Sequence, residues 1–147
     1  MDKSKKAVIL VAEDDADDRL LMEKAFKKVM MKSDFFYVED GFELMQYLKR
    51  GHPYQDDLKY PSPNIIILDL NMPKKDGREA LREIKGNDDL CKIPVVVFTT
   101  SQSNDDILYS YKMGGNSFIT KPTSLEQLSK IGTELEDYWF NTVELPD

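Results

Sequence analysis

Acids, hydroxyls and a lysine stand at the ends of apolar runs in this chain, and their types point to one kind of chemistry. Asp69 closes "IIIL" (65–68) inside "NIIILDLNMP". Glu13, Asp14 and Asp15 follow "AVILVA" (7–12), Thr99 and Thr100 follow "VVVF" (95–98), and Lys121 and Pro122 follow "SFIT" (117–120). A charged side chain is seldom buried without a partner, so a carboxylate ending the most hydrophobic segment is either idle or held for a purpose. Oxygen ligands without His or Cys suit a hard cation. Mg²⁺ takes a few carboxylates, keeps several waters and coordinates phosphate. A lysine ammonium is a compact charge suited to phosphate. Asp69 is then a candidate nucleophile, because a carboxylate can accept a phosphoryl group as aspartyl phosphate.

Such residues act together only if the fold brings them to one edge. Two carboxylates ~5 Å apart repel by roughly 3 kcal/mol at an effective dielectric near 20, so a cluster of three needs a neutralising partner. Five strand-like runs, at 7–12, 35–38, 65–68, 95–98 and 117–120, are mostly continuous rather than alternating, the pattern of strands covered on both faces. Helical stripes lie between them: Leu20, Leu21, Ala25, Phe26 and Val29; Leu44, Met45, Tyr47 and Leu48; Ala80, Leu81 and Ile84; Ile107, Leu108 and Tyr111. A last stripe holds Leu125, Leu128, Ile131, Leu135 and Tyr138. Ser103 with Asp106 and Ser124 with Gln127 have the spacing of capping boxes, and Gly51, Gly86 and Gly114 stand where left-handed helix stops are expected. The segment "RGHPYQDDLKYPSP" (50–63) reads as one long loop. The order predicts an α/β fold with a five-stranded parallel sheet, (βα)5 and doubly wound. Ligands in such sheets bind beyond the carboxyl ends of the strands, which puts Glu13, Asp14, Asp69, Thr99 and Lys121 on one rim.

The gross numbers narrow the field. A chain of 147 residues suits one domain. A net charge of −7 argues against direct nucleic-acid binding. No apolar run approaches the ~18 residues of a membrane span, and Ala7–Ala12 is too short for a signal-peptide core. One cysteine, Cys91, allows no internal disulfide and fits a reducing cytoplasm, and with a single histidine, His52, it makes a His/Cys zinc site an unsuitable reading.

Four stretches, "VAEDD", "ILDLNMPKKDG", "IPVVVFTTS" and "FITKP", occur in an order and at separations that resemble the receiver domain of two-component response regulators, over about residues 7–138. "LDLNMPKKDGREALREIK" and "YWFNTVELP" resemble the phytochrome-associated single-domain regulators. The resemblance implies a flavodoxin-like three-layer sandwich and a single receiver, 1–147, with an extension over 139–147 and no output domain. It implies that Asp69 takes phosphate from a sensor histidine kinase of phytochrome type. Asp14, Asp69 and the Asn71 carbonyl would ligate Mg²⁺, with Glu13 acting through water. Lys121 and Thr99 would contact phosphoryl oxygens, Phe118 would move behind Thr99, and Asn71 and Ser101 would tune dephosphorylation. It also implies a cis Lys121–Pro122 bond. Glu13 stands where Asp is commoner, and Phe118 lacks the hydroxyl of the usual Tyr.

Two other functional classes compete. An aspartyl-phosphate phosphohydrolase needs a second Asp two residues after the nucleophile, where this chain has Asn71. A flavodoxin-like electron carrier needs a phosphate-cradling loop after the first strand, where "EDDADD" places five acids. Asp17 and Asp18 read as first-turn acids favoured by the helix dipole, without chemistry of their own. Tyr138, Trp139, Phe140, Val143 and Leu145 offer more apolar surface than one helix face buries, which leaves two readings, packing back on the domain or a homodimer seam.

Overall fold

A computed structural model describes residues 5–146. The chain alternates β1 (Ala7–Ala12), α1 (Ala16–Val29), β2 (Ser33–Val38), α2 (Gly41–Leu48), β3 (Ile65–Leu68), α3 (Gly77–Gly86), β4 (Val95–Thr99), α4 (Asn104–Lys112), β5 (Ser117–Thr120) and α5 (Leu125–Glu136). A π-helical turn, Asp137–Thr142, extends α5. All strands are parallel in the order β2-β1-β3-β4-β5, the doubly wound arrangement expected from the sequence.

Alternate residues of each strand feed two apolar layers, as a period of two requires. Leu10, Ala12, Ile66, Leu68, Val95 and Val97 pack with α2 and α3 through Leu44, Leu48, Ala80, Leu81 and Ile84. Ile9, Val11, Ile65, Ile67, Val96 and Phe98 pack with α1 and α5 through Met22, Ala25, Phe26, Leu128 and Leu135. In α1 the buried face is thus Met22, Ala25 and Phe26, while Leu20 and Leu21 of the anticipated stripe are exposed. Gly132 of α5 meets Phe26 and Val29, where a Cβ would come within 3.0 Å of both side chains. Phe140 and Leu145 fold back onto the α1–α5 layer, whereas Tyr138 is exposed and Trp139 half-buried.

Local signals explain most helix ends. Asp15, Asp40, Asp76, Ser103 and Ser124 each accept a backbone N–H at a helix start. Of the three glycines expected in left-handed backbone, Gly114 adopts it at φ 99°. After α2 the left-handed residue is instead Arg50, at φ 62°, and Gly51 lies against the tip of the Gln46 side chain. The cis peptide bond among the described residues is His52–Pro53, so the expectation of a cis Lys121–Pro122 bond is not met.

Candidate functional site

The carboxyl edge of the sheet delivers its side chains rigidly, because the backbone ladder continues past the strands. Glu13 N–H donates to Val38 O at 3.0 Å, Asp69 N–H to Ala12 O at 3.1 Å and Lys121 N–H to Thr99 O at 2.8 Å. The first two bonds tie β2, β1 and β3 together and the third ties β5 to β4, in each case through the site residues themselves. Gly77, at the start of α3, donates to Leu70 O at 2.9 Å and lies against the carbonyl of Asp69. The acid is clamped from its C-terminal side as well.

Lys121 is the hub. Its ammonium lies 2.9 Å from Asp69 Oδ2 and 3.0 Å from Asp18 Oδ2, and it pairs with Glu13 Oε1. Glu13 and Asp69 are buried, at 1% and 5% exposure. Burial pushes the Glu13 carboxyl up to about 7, with the Lys121 hydrogen bond pulling down and the Asp69 charge adding to the rise. For Lys121, burial acts to lower the pKa, but Glu13 and Asp69 outweigh it and hold the ammonium well above its ordinary value. The lysine is therefore a fixed positive charge among three acids.

Glu13, Asp14 and Asp69 each present an oxygen within 4.8 Å of the others, with Asp14 exposed to solvent. This all-oxygen set fits a hard divalent cation, and the buried negative charge of Glu13 and Asp69 is only partly matched by one lysine. Asn71 N–H donates to Asp69 Oδ1 at 3.2 Å. Thr99 is fully buried and its hydroxyl has no hydrogen-bond partner. A buried donor left unmade is costly, and functional sites are where such groups collect.

The sequence-derived residues thus divide. Glu13, Asp14, Asp69 and Lys121 converge, with the Asn71 backbone beside them. Phe118 is half-buried against the α2–α3 layer. Ser101 and the Asn71 side chain face another partner: the Ser101 hydroxyl donates to Asp106 Oδ2 at 2.6 Å, and Asn71 Oδ1 accepts from Arg78 Nη1 at 3.4 Å. Asp18 is a site residue that the sequence reading assigned to the helix dipole alone. Its position three residues after the Asp15 cap was the available signal, since an acid there points back towards the cap and the rim.

The response regulator receiver domain family matches residues 9–132. The chain belongs to that family. It is a phosphoacceptor receiver of two-component phosphorelays and a signalling protein. The receiver is 42% identical to the response regulator Rcp1 of Synechocystis sp., over 95% of this chain and 92% of that protein. The crystal structure of the Mn²⁺-bound form of Rcp1 superposes with a TM-score of 0.86, covering 96% of this chain and 99% of that one. That of the phosphorylated cyanobacterial phytochrome response regulator RcpA, 40% identical, gives 0.88 over 97% and 99%. The likeness to phytochrome-associated regulators read from the sequence is borne out by these relatives. Among the described residues, no helix is long and apolar enough to cross a membrane.

Proposed function

We propose that Asp69 takes the phosphoryl group from a histidine kinase of phytochrome type, and that Glu13, Asp14, Asp69 and the Asn71 carbonyl hold the Mg²⁺ this transfer requires. The observation that carries the reading is the buried Lys121–Asp69 pair at 2.9 Å, within the carboxylate cluster. In the transfer an Asp69 oxygen bonds to phosphorus, the phosphorus–nitrogen bond to the kinase histidine breaks, and the imidazole leaves. Bound Mg²⁺ supplies charge neutralisation for the carboxylates and the phosphoryl oxygens. Lys121 balances Asp69 before transfer and pairs with a phosphoryl oxygen afterwards. The unpartnered Thr99 hydroxyl donates to a second oxygen, and Phe118 follows Thr99 into the space it leaves, the packing change that signals the state. Asn71 and Ser101, two residues beyond Asp69 and Thr99, shape access for the water that ends the signal. The chain acts as one receiver, core about 7–138 with an extension over 139–147, in the cytoplasm, a setting that its one free, exposed cysteine supports.

The test is incubation with Mg²⁺ and acetyl phosphate. One acid-stable, base-labile phosphoryl group per chain is expected in the wild type and none in Asp69→Asn or in the presence of chelator. Label persisting in Asp69→Asn overturns the assignment, and sustained turnover of phosphate monoesters favours a hydrolase.

The reading includes a homodimer through the C-terminal face. Ile119, Ile131, Leu135, Tyr138 and Trp139 line a groove of about 500 Å³ along β5 and α5. Sedimentation at high micromolar concentration checks it. A dimer is expected in at least one of two conditions, with acetyl phosphate or without it, and a monomer under both removes it.

A further inference from the structure

Beyond the convergent acids, the rim carries a second charged assembly, built from α3, α4 and the two loops that flank Asp69. Arg78 Nε donates to Asp106 Oδ1 and Nη2 to Asp106 Oδ2, each at 2.7 Å, a two-pronged fork that matches a carboxylate. The remaining nitrogen, Nη1, reaches Asp76 at 3.2 and 3.3 Å and Asn71 Oδ1 at 3.4 Å. Asp106 Oδ2 also accepts from the Ser101 hydroxyl at 2.6 Å, and Tyr109 OH donates to the Arg78 carbonyl at 3.0 Å. The chain of contacts therefore runs Asn71, Arg78, Asp106, Ser101, from the loop after β3 to the loop after β4.

The apolar fastening of α4 is slight. Ser110 is its one buried residue, while Leu108 and Tyr111 are exposed at 54% and 51%. Polar contacts through Arg78 must then do much of the holding. Hydrogen bonding to Arg78 and then to Ser101 keeps the Asp106 carboxyl below its usual range, so the network is charged at neutral pH.

We propose that Arg78 is a positioning residue for loss of the phosphoryl group, fixing the side chains of Asn71 and Ser101 as a bridge between the two loops beside Asp69. The proposal rests on the reading of Asp69 as phosphoacceptor. In the step concerned, the oxygen of water bonds to phosphorus and the phosphorus–oxygen bond to Asp69 breaks. Asp69 is regenerated as the carboxylate, inorganic phosphate departs, and both water hydrogens end on the phosphate. The bridge ties both neighbouring loops and restricts how water approaches, so breaking it speeds this step.

The experiment loads the wild type and the variants Arg78→Gln, Arg78→Lys, Asp106→Asn and Asn71→Ala/Ser101→Ala with acetyl phosphate and Mg²⁺. Acetyl phosphate is then removed and remaining phosphoaspartate is followed with time, alongside the initial rate of loading. Arg78→Gln and Asp106→Asn are expected to lose phosphate roughly threefold faster or more, with loading changed by less than about twofold. Arg78→Lys is expected to behave like Arg78→Gln, since an ammonium cannot make the fork. In the Asn71→Ala/Ser101→Ala background, Arg78→Gln is expected to have no further effect. Unchanged or slower loss, or an equal acceleration in that background, overturns the proposal. If Arg78→Gln fails to fold, Asp106→Asn decides. A wild type that never loads removes the Asp69 reading instead, so the two failures are distinguishable.

Discussion

Thr99 is fully buried with an unpartnered hydroxyl, and such a group costs the folded state about 1–3 kcal/mol. Thr99→Val keeps the shape and removes the hydroxyl. The variant is expected to melt higher, by an amount corresponding to roughly 1–2 kcal/mol, and to hold phosphate poorly. A thermal melt and a loading assay check the two halves, and a lower melting point would show that the hydroxyl is already satisfied. The same residue scale shows where the sequence was readable. Asp69, Glu13, Asp14 and Lys121 could be found because each follows an apolar strand, and strand ends are fixed points in a parallel sheet. Asp18, Arg78 and Asp106 could not be assigned that way. They sit on helices, where an acid or base already has an ordinary explanation; the place of Asp18 three residues after the Asp15 cap hints at the rim, but its pairing with Lys121, like that of Arg78 with Asp106, is a matter of side-chain geometry.

At the scale of elements, α3 is pressed onto the end of β3. A Cβ on Gly77 would collide with the Asp69 carbonyl and lie 2.6 Å from Leu70 Cα, backbone that cannot swing aside. Gly77→Ala is therefore expected to cost about 1–3 kcal/mol in stability and to slow phosphate loading, because relief of the clash must move Asp69. Denaturant melts and the loading rate measure both, and a variant with wild-type values would mean that α3 shifts freely. Asp76-Gly77 is an ordinary turn pair in the sequence, and a turn glycine gives no sign of what its missing side chain would strike. Elsewhere the strands fell where apolar runs placed them, but β2 begins earlier, at Ser33, because pairing with Ala7 extends the ladder into a polar residue, and β4 runs on to Thr99, which pairs with Thr120. The Ser103–Asp106 capping box is half made: Ser103 accepts the Asp106 N–H at 3.3 Å, while the Asp106 side chain is taken by Arg78 and Ser101. Tertiary competition of that kind is invisible in spacing alone.

Across the whole molecule, the two apolar layers hold the sheet, and the rim is where the sheet's order brings distant residues together. The long loop after α2 is anchored rather than loose. Tyr54 and Tyr60 pack against Tyr47 in tilted and edge-to-face pairs with ring centroids 4.8–5.9 Å apart, and the Tyr47 hydroxyl donates to Pro61 O at 2.7 Å. Composition hinted at a loop but not at this aromatic peg, since three tyrosines spread over fourteen residues show no period. The C-terminal segment divides: Phe140 and Leu145 turn inward, and Tyr138 faces out. Between them stands Trp139, the one tryptophan in the chain, half-buried beside Ile119 of β5 and Leu135 of α5. Its indole is a native optical probe: ultraviolet emission excited at the red edge comes from that single edge of the sheet, so rearrangement of β5 can be watched without attaching a dye.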